Sequence, residues 1–272
     1  MTTMPESRPA RSPRAWILAA ATLALGASPL AAQWPRDEVT AERSGAAPAA
    51  GAARVRVEAG AGTLRVEGRE GITEVRARGI ARATSRGLLE DIRLTVRRAG
   101  DDVLVRAEMP EDLDDGQYAG LDLVVELPKT IALRVSDGSG DAEIKGVKSL
   151  DIQDGSGGLR VNDIGGPLML TDGSGELRIV DVRGDVELED GSGSIELRQV
   201  RGSVVVDDGS GSLDVSDVTG TVRVRSKGSG SVEAVRVGGD FVVERRTSGT
   251  VDYREVKGRV DVPERRRRGR DW

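Results

Sequence analysis

The chain has no cysteine and no histidine among its 272 residues. Without cysteine it can build no disulfide framework and take no lipid anchor of the bacterial lipoprotein kind, so regular hydrogen bonding and packing must hold any exported domain together. Without histidine, the many serines cannot be read as nucleophiles of a Ser-His-Asp relay. Aromatic residues are only 2%, and those between residues 54 and 262 are Tyr118, Phe241 and Tyr253. Sugar-stacking rings are therefore nearly missing, although 45 acidic residues make carboxylate pairs of the glycosidase type easy to find. Past residue 32, no segment is apolar enough to span a bilayer.

What is there begins with an address. Arg8, Arg11 and Arg14 precede the apolar run from Trp16 to Leu25, and small residues then lead to Ala31-Ala32-Gln33. This is the layout of a secretory signal peptide over residues 1–32, with cleavage expected after Ala32. The run is too short for a membrane-spanning helix, so an exported protein is expected in the periplasm, at the cell surface or outside the cell. Residues 33–53, rich in Ala, Gly and Pro and without an apolar period, read as a flexible linker. Of the net charge of -5, residues 1–32 carry +2 and residues 263–272 carry +3, which leaves -10 for the rest. An acidic body argues against nucleic acid as a partner. The basic tail 263–272 reads as disordered, with Arg265 to Arg270 free to touch anionic envelope polymers or lipid head groups.

Glycine, at 36 residues, is about twice its usual share, and its placement is periodic. Asp137-Gly138-Ser139-Gly140 recurs at Asp154, Asp172, Asp190 and Asp208, then as Lys227-Gly228-Ser229-Gly230 and finally as Thr247-Ser248-Gly249. Counted from the last glycine of each turn, apolar residues fall at +2, +4, +7, +11 and +13. In one coil these are Ile195, Leu197, Val200, Val204 and Val206, with Gly202 at a second turn. Alternation within two short runs means two strands, each with one buried face. The expected fold is all-β: from 137 to 262, a β-solenoid or β-helix of about 18-residue coils whose equivalent residues stack in ladders. Residues 54–136 are β-like but less regular. The stretch Val55 to Val66, around Gly60-Ala61-Gly62, looks like a diverged coil, and the strands after it are suited to cap the N-terminal end. Pro263 and the arginines after it read as stop signals.

The sharpest chemical feature is the column Asp137, Asp154, Asp172, Asp190 and Asp208, with Glu189 and Asp207 beside it. At the interstrand spacing of about 4.8 Å, neighbouring charges repel by roughly 3 to 4 kcal/mol at an effective dielectric of 20. One relief is a turn in which each aspartate accepts a backbone N–H two residues on. The other is calcium, for which these five residues are the candidate ligands, with Lys227 as a charge cap. Ser139, Ser156, Ser174, Ser192, Ser210, Ser229 and Ser248 form a hydroxyl column expected to bond within itself and to backbone. Glu108, Glu111, Asp112, Asp114 and Asp115 read as a solvated loop. The outward column Asp151, Met169, Glu187, Val205, Arg223, Val242 and Asp261 carries three scattered apolar residues.

The signal segment, the Val55 to Gly68 opening with its Gly-Ala-Gly turn, the Leu127-Pro128 pair and the Asp-Gly-Ser-Gly coils together resemble the bacterial putative-adhesin domain family, over about residues 54–262. The resemblance implies an exported β-solenoid without catalytic residues or cofactor. The expected function is a non-catalytic, adhesin-like binding or structural protein of the cell envelope, presenting a rigid acidic surface to an envelope protein or polymer. The alternatives are a calcium-stabilised secreted β-roll and a β-helical polysaccharide-degrading enzyme.

Overall fold

The computed structural model describes residues 38–110 and 112–263. The signal peptide and residues 264–272 of the basic tail lie outside the described residues. In chain order come β1 (Val39–Pro48), β2 (Arg54–Glu58), β3 (Leu64–Arg69), β4 (Glu74–Ala83), α1 (Arg86–Asp91), β5 (Arg93–Ala99), β6 (Asp102–Glu108) and β7 (Ala119–Pro128). Seven strand pairs follow, one per coil. They are β8 (Ala132–Ser136) with β9 (Ala142–Val147), β10 (Ser149–Asp154) with β11 (Leu159–Ile164), β12 (Leu168–Asp172) with β13 (Gly175–Val182), and β14 (Val186–Asp190) with β15 (Gly193–Val200). The last three are β16 (Val204–Ser210) with β17 (Leu213–Val218), β18 (Val222–Ser229) with β19 (Val232–Val237), and β20 (Phe241–Val243) with β21 (Val251–Val256), before a closing β22 (Val260–Asp261).

The coils stack as two facing sheets with every coil-to-coil pairing parallel, so Leu159, Leu177, Ile195, Leu213 and Val232 form one buried ladder. Single coils bury too few side chains to offset the ordering of their backbone, so the stack must hold together between coils. The break in parity between +4 and +7 has a backbone cause. Asp163, Asp181, Gln199, Asp217, Arg236 and Glu255, all at +6, adopt φ between 53° and 58°, and Gly146 takes φ 70° at the same place in its coil. The left-handed residue reverses the alternation, so that Ile164, Val182, Val200, Val218 and Val237 turn inward.

The second turn is pinned from coil to coil by side chains. The N–H of Ser203 donates to Asp185 (2.7 Å), that of Thr221 to Ser203 (3.2 Å), that of Asp240 to Thr221 (3.3 Å) and that of Arg259 to Asp240 (2.8 Å). A 19-residue coil absorbs its extra residue at a bulge, where Asp207 pairs with Ser226. The inserted Arg225 reaches Glu187 (2.5 Å) and Asp207 (3.3 Å).

The N-terminal part is not stacked in chain order. β2 and β3 form a coil directly against β8 and β9, with Val55 opposite Leu133 and Leu64 opposite Ala142. The chain then leaves through β4, α1 and β5 and returns as β6 and β7, which form the next coil outward. Antiparallel strands close this end: β5 on β6, β4 on β7 and β1 on β4. They supply the edge cover that parallel coils lack.

One expectation is corrected here. Residues 39–48 of the expected linker are strand β1, paired with β4 over its whole length. At Gly45 it lies close to β5: a Cβ there would sit 2.9 Å from Cγ2 of Val96. Arg43 fastens it by donating from Nε to the Ile92 carbonyl (2.9 Å) and from Nη2 to that of Leu89 (2.8 Å).

Candidate functional site

The structure brings Asp137, Asp154, Asp172, Asp190 and Asp208 together in one column, and it places them inside. All five are buried, at 2% to 7% exposure, as is Lys227 at 2%. The turn expectation is corrected at Asp137, which accepts from the adjacent Gly138 N–H (3.0 Å), while the Ser139 N–H, two residues on, goes to the Gly60 carbonyl (3.1 Å); at Asp172, Asp190 and Asp208 the N–H two residues on, of Ser174, Ser192 and Ser210, does favour the carboxylate. In each coil the aspartate continues the alternation of the strand before it: Val186 and Leu188 face the core, and so does Asp190.

The glycines on either side let the turns approach backbone to backbone. A Cβ on Gly173 would lie 2.4 Å from the Gly155 carbonyl oxygen, and one on Gly175 would lie 1.7 Å from that of Gly157. The serines between them lie nearer the surface, and their carbonyls carry the ladder: Gly157 N–H to Ser174 (3.1 Å) and Gly175 N–H to Ser192 (3.0 Å).

Burial without aligned donors sets the protonation of the column. Both oxygens of Asp154, Asp172 and Asp190 are shielded from solvent with no well-aligned donor on them. The N–H groups of Gly155, Gly173, Ser174 and Ser192 are near enough to favour the charged form but too few to offset burial. Burial first, then the neighbouring aspartates, push Asp154 and Asp190 up to about 7. Burial likewise raises Asp137 to about 6, against the pull of the Gly138 N–H. Asp172 is also raised by burial, but hydrogen bonds from Asp190 and Asp154 favour its charged form. The shifts therefore split along the column: Asp154 and Asp190 are pushed toward the protonated form, while both favour the charged form of Asp172 between them.

At the C-terminal end the charge is neutralised outright. Lys227, in the position of the next aspartate, places Nζ 2.7 Å from Oδ2 of Asp208 and donates to the carbonyls of Gly211 (2.9 Å) and Ser229 (2.7 Å). Burial raises Asp208, and the ammonium pulls it back down. The column continues to Arg246, bridged to Lys227, which donates to the carbonyls of Gly249 (3.2 Å) and Pro263 (3.1 Å). Among the described residues, no three acidic side chains converge in the way a metal ion needs; the aspartates run along a line.

Outside, the faces are charged and cross-linked between coils. Arg178 meets Glu196 (3.0 Å), Arg223 meets Glu244 (2.6 Å), and Arg236 grips Asp217 through Nε and Nη2 (2.6 and 2.7 Å). In the outward column, Met169 is 55% exposed while Val205 is half-buried and Val242 buried, so no apolar stripe forms. Glu108, Asp112, Asp114 and Asp115 are exposed, and Asp114 accepts from Gln117 (2.9 Å). Phe241 is inside, whereas Tyr253 is 48% exposed, since among the described residues no strand pairs beyond β21. Among the described residues, no helix is long and apolar enough to cross a membrane.

No family model matches the sequence, and neither does any curated protein. Solved structures align with much of the chain at low identity. A putative cell adhesion protein from Clostridium sporogenes is 12% identical, with a TM-score of 0.34 over 79% of this chain and 99% of its own. A putative adhesin from Bacteroides fragilis is 12% identical, with a TM-score of 0.43 over 84% of this chain and 97% of its own. A putative adhesin from Parabacteroides distasonis is 14% identical, with a TM-score of 0.28 over 78% of this chain and 97% of its own.

Proposed function

We propose that this chain is a non-catalytic, adhesin-like protein of the bacterial cell envelope that binds by presenting a rigid stack of coils to an envelope protein or polymer. The observation that carries the reading is the division between inside and outside. The repeated carboxyls, the one set of groups with unusual chemistry, are turned into the core. The outer faces hold fixed columns of paired charges such as Arg178–Glu196 and Arg236–Asp217. Such a surface suits recognition by a partner of matching spacing and charge. The secretory layout of residues 1–32 supports export.

Proximity crosslinking in the native cell tests this. Recovery of a defined envelope protein or polymer above background is the expected result. Labelling indistinguishable from an unrelated exported protein, or turnover of uronate polymers by the purified chain, refutes it.

A further inference from the structure

The two ends of the stack differ. The N-terminal end is closed by β1, β4 and β5, whereas β21 and β22 are the last strands of their sheets, and among the described residues nothing lies beyond them. The ladder positions that are fully buried in the preceding coil open here: Val232, Ala234 and Val237 are at most 1% exposed, while Val251 and Val256 are half-buried and Tyr253 is 48% exposed. The solenoid's two aromatic rings sit at this end, with Phe241 and Tyr253 centroids 5.9 Å apart, and aromatic side chains are enriched at protein interfaces. Pro263, the last described residue, follows β22, which belongs to the sheet opposite β21.

The β21 edge is also built to pair. The Val232 N–H donates to the Thr250 carbonyl, and a parallel ladder alternates, so the N–H and C=O of Val251 and Tyr253 point to the open side. Its side chains are self-complementary about Tyr253. In an antiparallel pair centred there, Tyr253 faces its own copy, and Asp252 faces Arg254 twice, on the outer face of the sheet. We infer that a second copy of this chain caps the open end, tail to tail, through antiparallel pairing of β21 with its own copy about a two-fold axis at Tyr253. The contact is isologous and closes, so it yields a dimer and not a filament. It goes beyond the envelope-binding role and does not depend on it.

Sedimentation velocity of the full chain over a range of concentrations tests the pairing. The unmodified chain is expected to dimerise. Asp252→Arg alone and Arg254→Asp alone each place like charges opposite one another and are expected to weaken the dimer at least tenfold. Mixed together, the two single variants restore opposite charges across the pair and are expected to form a heterodimer. Both positions are exposed, and circular dichroism and melting of each variant confirm that it is folded. A monomer at every concentration, or a dimer indifferent to both reversals, overturns the inference, as does failure of the mixture to recover pairing. Export or partner labelling would be untouched by such a failure.

Discussion

The buried column is expected to make the stability of this protein fall as pH rises, against the habit of acid-denatured proteins, and Asp190→Asn isolates the effect. The folded-state pKa of Asp190, about 7, lies above the ordinary 3.8, so the folded chain keeps a proton that the unfolded chain has lost. The associated stability is complete below about 3.8 and is lost as pH climbs through about 7. At 1.36 kcal/mol per pKa unit, linkage gives a loss of ~2–3 kcal/mol from this one group between pH 5 and pH 8.

Asparagine keeps the shape of a protonated aspartic acid and an N–H toward Asp172, but it does not titrate. Thermal melts at pH 5 and pH 8 should therefore show the variant gaining on the unmodified chain by ~2–3 kcal/mol, or roughly 5–10 °C for a domain of this size. Asp154, at about 7, and Asp137, at about 6, add in the same direction in the unmodified chain. Asp217, held below its ordinary value by Arg236, acts at more acidic pH and does not disturb the window. Parallel pH profiles for the two chains, or an unmodified chain that grows more stable from pH 5 to pH 8, would refute the protonated column.

Three further outcomes follow from the same geometry. Gly193→Ala puts a Cβ 1.7 Å from the Gly175 carbonyl oxygen at φ 150°, so it should abolish a cooperative melt or lower the midpoint by well over 10 °C, whereas an exposed glycine outside the stack, Gly71, should tolerate alanine better. Lys227→Met strands a buried Asp208 and two carbonyls, at a cost of ~3–5 kcal/mol; adding Asp208→Asn should recover a large part of it in urea melts. The melting midpoint should be the same with millimolar calcium as with chelator, since the buried carboxyls run along a line and do not converge; a calcium-dependent rise of several degrees would restore the β-roll reading.

Much of the solenoid was legible because its rules repeat. The Gly-x-Gly spacing gave the stacked turns, and apolar residues at +2, +4, +7, +11 and +13 gave the two buried faces. The Gly60-Ala61-Gly62 turn marked a true coil: Ala61 bridges to Ser139. What was hidden has physical reasons. Strand β1 packs against β5 through alanine and glycine, whose hydropathy is too weak to register as alternation. The outward order of the N-terminal coils, β6 and β7 beyond β2 and β3, depends on where the chain re-enters the stack, and periodicity carries no information about that.

The aspartates are the instructive case, because the signal was present and the residue type overrode it. Val186, Leu188 and Asp190 share one parity, as do Val204, Val206 and Asp208. A strand face does not change at a charged residue unless a bulge or left-handed residue intervenes, and none does before these turns except at the Val206/Asp207 register shift. The assumption that carboxylates seek water fails here because a ladder gives each one a chemically identical neighbour. Isolated, a buried aspartate would need several donors. Stacked, Asp154 and Asp190 are pushed toward the protonated form and favour the charged form of Asp172 between them, and Lys227 pairs with Asp208 where the series stops. The repeat that makes the fold therefore also makes its burial of charge tolerable, and it ties the two to pH: removing the protons leaves the turns intact in sequence but sets like charges facing one another in the core.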